Sequence, residues 1–165
     1  MVIKSLANII VTVREILDLP KSSDSWNLIQ ENHSKFISDD DVRYSWSLFS
    51  ENNALPQLHI EQENLSASWQ LLGNTVNLQL LGDRNDCFRE IICLSKLVLP
   101  DFELKYCMDT WHSSERSYVM LSAEDWIALN KYYGAENVSH RFMAIPDSAE
   151  EFIEIAFCEE NRRDY

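Results

Sequence analysis

Ile3, Leu6, Ile10, Val13 and Leu17 recur at intervals of three and four, the spacing that puts side chains on one face of a helix. Pro20 closes that segment. Ser23-Asp24 then supplies capping oxygens just before Trp26, Ile29, His33 and Phe36, again at helical spacing, and predicts a second helix. From Val42 the period changes to two. Val42, Tyr44, Trp46 and Leu48 alternate with Arg43, Ser45 and Ser47, the pattern of a half-buried strand. Leu58 and Ile60 alternate with His59 and Glu61, and Leu65, Ala67, Trp69 and Leu71 alternate with Ser66, Ser68 and Gln70. The apolar set moves from even to odd positions in between, which calls for a turn or bulge at Glu63-Asn64. Gly73-Asn74 reads as a hairpin link to Val76, Leu78 and Leu80.

Gly82 through Asp86 is punctuation that can cap a helix carrying Phe88, Ile91, Ile92, Leu94 and Val98, which ends at Pro100. Two further strands are expected over 102–109 and 118–121, joined by the polar link 110–116. Ser122 and Asp125 form a capping box, with Leu121 and Trp126 as its hydrophobic staple. That helix is expected to stop at Gly134. His140, Phe142 and Ala144 suggest a last strand. Ser148 and Glu151 form a second box, opening a helix through Phe152, Ile155 and Ala156, with Arg162-Arg163 near its end. The order ααββββαββαβα predicts a single α+β domain over 1–165, with a mainly antiparallel sheet and flanking helices.

Composition narrows the function classes. Asp and Glu number 27 against 14 Lys and Arg, a formal net charge of −13. Such a surface repels nucleic acid and anionic membrane, so neither is expected as a partner. Glycine occurs only 3 times in 165 residues, which leaves little for the Gly-rich loops that cradle phosphates. No cofactor is expected. Cys87, Cys93, Cys107 and Cys158 lie in apolar runs without a CxxC pair, and His33, His59, His112 and His140 do not fall at ligand spacing with them. Buried thiols in a reducing compartment, and no metal, are the expectation. The first fifteen residues lack the shape of a signal peptide, and the segment is too short to span a membrane. The chain is therefore expected to be cytoplasmic.

The most enzyme-like cluster is Asp109-Thr-Trp-His112-Ser-Ser-Glu115. A nucleophile system needs its members held by separate elements in a preorganised geometry, and one short polar link does not provide that. No catalytic residue is assigned. Trp111 is different: a Trp in a polar turn either tucks onto the sheet or anchors a partner. The acids cluster as Asp39-Asp40-Asp41, as Glu61 and Glu63 on the polar face of one strand, and as Glu150, Glu151, Glu154, Glu159 and Glu160. A solvated face and a face that meets a basic partner both fit. The candidate partner-binding residues are Asp39, Asp40, Asp41, Glu61, Glu63, Trp111, Glu150, Glu151 and Glu154.

Residues 118–145, with Trp126, Tyr133-Gly134 and His140-Arg141-Phe142, are similar to the end of the domain found beside the catalytic core of ubiquitin-specific proteases; the Trp-rich first half of that domain has no counterpart here. The whole-chain profile, a small acidic domain with acid runs and no catalytic motif, resembles bacterial toxin-immunity proteins, including those of contact-dependent growth inhibition. That resemblance implies a non-enzymatic protein, monomer or homodimer, that binds a basic cognate toxin, for example a nuclease, and occludes its active site. The leading helix followed by strands also resembles type III secretion chaperones, which would imply an apolar groove for an effector segment. An unrecognised enzyme is the third reading.

Overall fold

Val42 begins a helix, not a strand. Asp41 caps it, its carboxylate accepting the Tyr44 backbone N–H at 3.1 Å, and α3 runs Val42–Asn52. Val42, Trp46 and Phe49 are buried, at i, i+4 and i+7, whereas Tyr44 and Leu48 are exposed. The period of two is thus the overlap of a helical core stripe with two surface apolar residues. The computed structural model describes residues 6–111 and 113–161. Ile3, His112 and Arg162-Arg163 lie outside the described residues, as do the side chains of Ala156, Cys158, Glu159 and Glu160.

The architecture is α+β. α1 (Ala7–Asp18) buries Ile9, Val13 and Ile16, with Leu6 just ahead of it, so its core stripe is displaced from the expected one. α2 (Ser23–Glu31) is capped by Ser22 rather than Ser23 or Asp24, with Ser25 closing the reciprocal bond at 3.0 Å. A short 3-10 turn over His33–Lys35 leads into β1 (Ile37–Ser38), and α3 follows. β2 (His59–Glu63), β3 (Ser66–Leu71) and β4 (Asn74–Gln79) form an antiparallel three-stranded sheet in the order β2-β3-β4. The β3–β4 link is Leu72-Gly73, at φ +52° and +79°, one residue earlier than expected. Positive φ at both central positions matches strand twist, as in type I′ hairpins. Asn74 is thereby the first strand residue, and its amide donates to the Leu97 and Leu99 carbonyls at 2.8 and 2.7 Å.

α4 (Asp86–Leu97) packs against β4. β5 (Phe102–Cys107) and β6 (Ser117–Ser122) pair antiparallel, and β5 also pairs with β7 (Phe142–Ala144). The second sheet has the order β1-β6-β5-β7. α5 (Ala123–Tyr133) starts at Ser122, whose hydroxyl accepts the Asp125 N–H at 3.1 Å; Leu121 and Trp126 are both buried, as a staple requires. Trp126 also donates its indole N–H to the Glu103 carbonyl at 2.9 Å. Gly134, at φ +90°, ends α5 as expected, its N–H on the Asn130 carbonyl at 2.9 Å. It separates α5 from α6 (Ala135–Arg141), which takes up His140, so the last strand is only three residues long. α7 (Ala149–Asn161) opens with the Glu151 N–H on the Ser148 hydroxyl at 3.2 Å and stacks Phe152 on Phe88 of α4, ring centres 4.9 Å apart. One apolar cluster runs through both sheets and includes Trp46, Trp69, Tyr106 and Trp126.

Candidate functional site: an acid-rimmed cleft beside α3

The three acids of the 39–41 run have three different fates. Asp39 is buried. Its carboxylate accepts from Arg116 Nε at 2.7 Å and from the Tyr118 hydroxyl at 2.9 Å. Burial works against the Arg116 charge, but Asp39 overrides it and holds the guanidinium above its ordinary pKa. Burial, with the Asp39 charge added, likewise keeps the Tyr118 phenol protonated. Asp39 is therefore a core ion-pair residue and not part of an accessible acidic face. Asp41 caps α3. Asp40 points outward, its backbone N–H held by the Ser38 hydroxyl at 3.2 Å, while the Ser38 N–H is held by the Ser45 hydroxyl at 2.8 Å. Side-chain bonds thus tie residues 38–45 together at this corner.

Asp40 and Asp41 rim a cleft of about 270 Å³ between the end of α2, β1, α3 and the link before β6. Glu115 joins them from the link, and Tyr44, Leu48 and Phe49 supply apolar wall. Tyr44 is 63% exposed and Leu48 44%. They sit one turn apart on α3, so both present to the same side. The site thus combines three carboxylates with a displayed aromatic ring and a displayed aliphatic side chain. Charge and displayed apolar surface lie side by side, the two features that orient and anchor protein contacts in general.

Glu61 and Glu63 lie elsewhere. They rim a shallow concavity of about 490 Å³ on the polar face of the smaller sheet, with Ser66, Ser68, Asn77 and Gln79. The two concavities share no lining residue. Glu150, Glu151 and Glu154 are exposed on α7 and line neither. Trp111 is tucked in, 8% exposed, with its ring edge-on to Tyr106 at 5.6 Å. It offers a partner almost no surface, so its place among the contact residues is corrected. Tyr44 and Leu48 are the exposed apolar side chains at the α3 cleft, and an alternating strand pattern hides them by giving both to one buried face.

Among the described residues of the enzyme-like link, the two acids part company. Asp109 is buried and bound through both oxygens to Arg141 at 2.8 and 2.7 Å, while Glu115 faces the cleft. Arg141 also donates to the Ile16 and Leu19 carbonyls, closing the end of α1. Among the described residues no group of three or more His, Cys, Asp or Glu side chains is placed to hold a metal ion, and no helix is long and apolar enough to cross a membrane. Cys87, Cys93 and Cys107 are free thiols. No protein family, curated protein or solved structure matches the chain.

Proposed function

We propose that this protein is a cytoplasmic, non-enzymatic inhibitor of a basic bacterial toxin domain, of the immunity-protein type. The observation that carries this reading is the cleft in which Asp40, Asp41 and Glu115 surround the displayed Tyr44 and Leu48. A nuclease must attract phosphates, so its active-site rim is basic. Asp40 and Asp41 on the 38–45 corner, with Glu115 on the link opposite, occupy that rim as phosphates would, and Tyr44 and Leu48 fill an apolar recess beside it. The net charge of −13 and the exposed acids of α7 add a long-range field that speeds the encounter.

The reading is tested by producing the chain together with the reading frame encoded next to it. Expression of that neighbour alone is expected to arrest growth. Co-expression of this chain is expected to restore it, with a folded one-to-one complex recovered. A neighbour without toxicity, or one that this chain binds only as an unfolded segment, contradicts the reading, and the second result favours a secretion chaperone.

A further inference from the structure

We propose that the open edge of β2 accepts an extended segment of another protein as a fourth strand, one carrying Lys or Arg at alternate positions. This goes beyond the toxin reading: it concerns a different face, and no toxin enters its test.

The direction of the β2 backbone groups follows from the register. The Leu80 N–H donates to the Leu65 carbonyl at 2.8 Å, continuing the β3–β4 ladder one step past Ser66 opposite Gln79. Odd-numbered residues of this stretch therefore direct their backbone groups to β4, and even-numbered ones to β2. Ser66, Ser68 and Gln70 face Glu63, Glu61 and His59. Those three β2 residues use their backbone groups on β3, which leaves the N–H and C=O of Ile60 and Gln62 directed away from the sheet. Four of the five β2 residues are exposed and the fifth is half-buried. At the β1 edge, by contrast, Ser38 gives its N–H to Ser45 of α3, and α4 lies against β4.

The edge is also held in shape. Gln62 donates its amide to the Asn64 carbonyl at 2.7 Å and accepts from Arg43. Arg43 is itself paired with Glu90 at 3.1 Å and lies over the Trp69 ring at 5.5 Å. A strand docking here would meet a preformed template and lose less conformational freedom than one docking on a mobile loop.

Charge selects the occupant. Glu61 and Glu63 stand on one face of β2, beside the concavity they line with Ser66, Ser68, Asn77 and Gln79. Side chains of an added strand on that face would lie next to the two carboxylates, and cations are favoured there. Ile60 and Gln62 stand on the opposite face, so the intervening positions suit small apolar residues. A second copy of this chain supplies no Lys or Arg on this strand: full antiparallel overlap of two β2 strands sets Glu61 against Glu61, with His59 against Glu63 on each side.

The test uses the whole protein, a heptapeptide alternating Lys and Val, its Glu–Val counterpart, and a Lys–Val peptide N-methylated on alternate residues to block its bonding edge. Amide hydrogen exchange is read residue by residue. The Lys–Val peptide is expected to slow exchange at Ile60 and Gln62 by about tenfold or more while β3 amides change little. The Glu–Val and N-methylated peptides are expected not to do so. Glu61→Gln with Glu63→Gln, on a protein shown by its amide spectrum to be folded, is expected to weaken the Lys–Val peptide about threefold to tenfold. Unchanged exchange at Ile60 and Gln62 overturns the inference. So does equal binding of the N-methylated peptide, which would reveal diffuse attraction of a cation to an acidic protein.

Discussion

Arg116 closes on Asp39 at 2.7 Å across 77 residues of sequence, and this one pair turns an apparent acidic run into a structural corner. The pair fastens the link before β6 to the residue after β1, and Arg116 also lies over the Phe88 ring at 4.6 Å. The cleft wall carried by that link is therefore positioned from the core.

Removing one partner of a buried ion pair leaves the other uncompensated, typically at about 3–5 kcal/mol. Asp39→Ala is expected to lose stability on that scale in urea unfolding. Asp40→Ala, one position on and exposed, is expected to stay within about 0.5 kcal/mol of the wild type. Equal effects would mean that Asp39 is not buried as described.

Arg141 is a second such fastening, joining Asp109 to the end of α1. Arg141→Met is expected to destabilise by about 3 kcal/mol or more. Arg141→Lys is expected to recover only part of that, because an ammonium cannot bridge both Asp109 oxygens and two carbonyls in one plane. Full recovery by Lys would show that charge alone matters there.

The helical reading of 42–52 separates residues that a strand would treat alike. Trp46→Ala is expected to cost about 3–5 kcal/mol. Tyr44→Ala and Leu48→Ala, both on the solvent side, are expected to leave the melting temperature nearly unchanged. A large loss for Leu48→Ala would return the segment to a two-sided strand.

Much of this fold was legible where a local rule acts alone. The Ser122–Trp126 signal, the β2–β3 turn and the Phe88–Val98 face are set by neighbours in sequence, and each is found near its expected place. The segment from Val42 misled because Tyr44 and Leu48 are apolar and exposed; removing them from the pattern leaves Asp41 as cap and a 42–46–49 stripe. Gly134 stops α5 as expected, but α6 follows at once, and the alternation of His140, Phe142 and Ala144 hides it because His140 belongs to that helix. The site was half legible. Asp40 and Asp41 were candidates, but burial of Asp39 depends on Arg116, and the wall of Tyr44, Leu48 and Glu115 exists only once α3 and the link meet.

At the start of α4, Arg89 bonds Asp83 and Asp86, each at 2.7 Å. That bond, aided by the Asn85 N–H, holds the Asp83 carboxyl below its ordinary range. A carboxyl whose folded pKa is lowered contributes stability above its unfolded pKa, near 4, and loses it as pH falls through the folded value. Arg89→Met is therefore expected to show a shallower fall of melting temperature below about pH 4 than the wild type. Parallel curves would contradict the coupling.

Burial pushes the Cys93 thiol up to about 12 and the Cys107 thiol higher still. Thiolate is the reactive form, so alkylation mapped by mass spectrometry at neutral pH is expected to reach these two residues only on unfolding. Rapid labelling of Cys107 in the native protein would contradict its place in the core.

The proposed contact surface for a basic toxin is the α3 cleft, with Asp40, Asp41 and Glu115 for speed and Tyr44 and Leu48 for grip. The most direct measurement is the association and dissociation rates with the product of the neighbouring reading frame at about 50 mM and about 0.5 M salt. Asp40→Asn with Glu115→Gln is expected to slow association several-fold at low salt and little at high salt. Tyr44→Ala with Leu48→Ala is expected to speed dissociation about tenfold or more at both. Wild-type rates for both variants, with binding indifferent to salt, would show that the partner does not bind at this cleft.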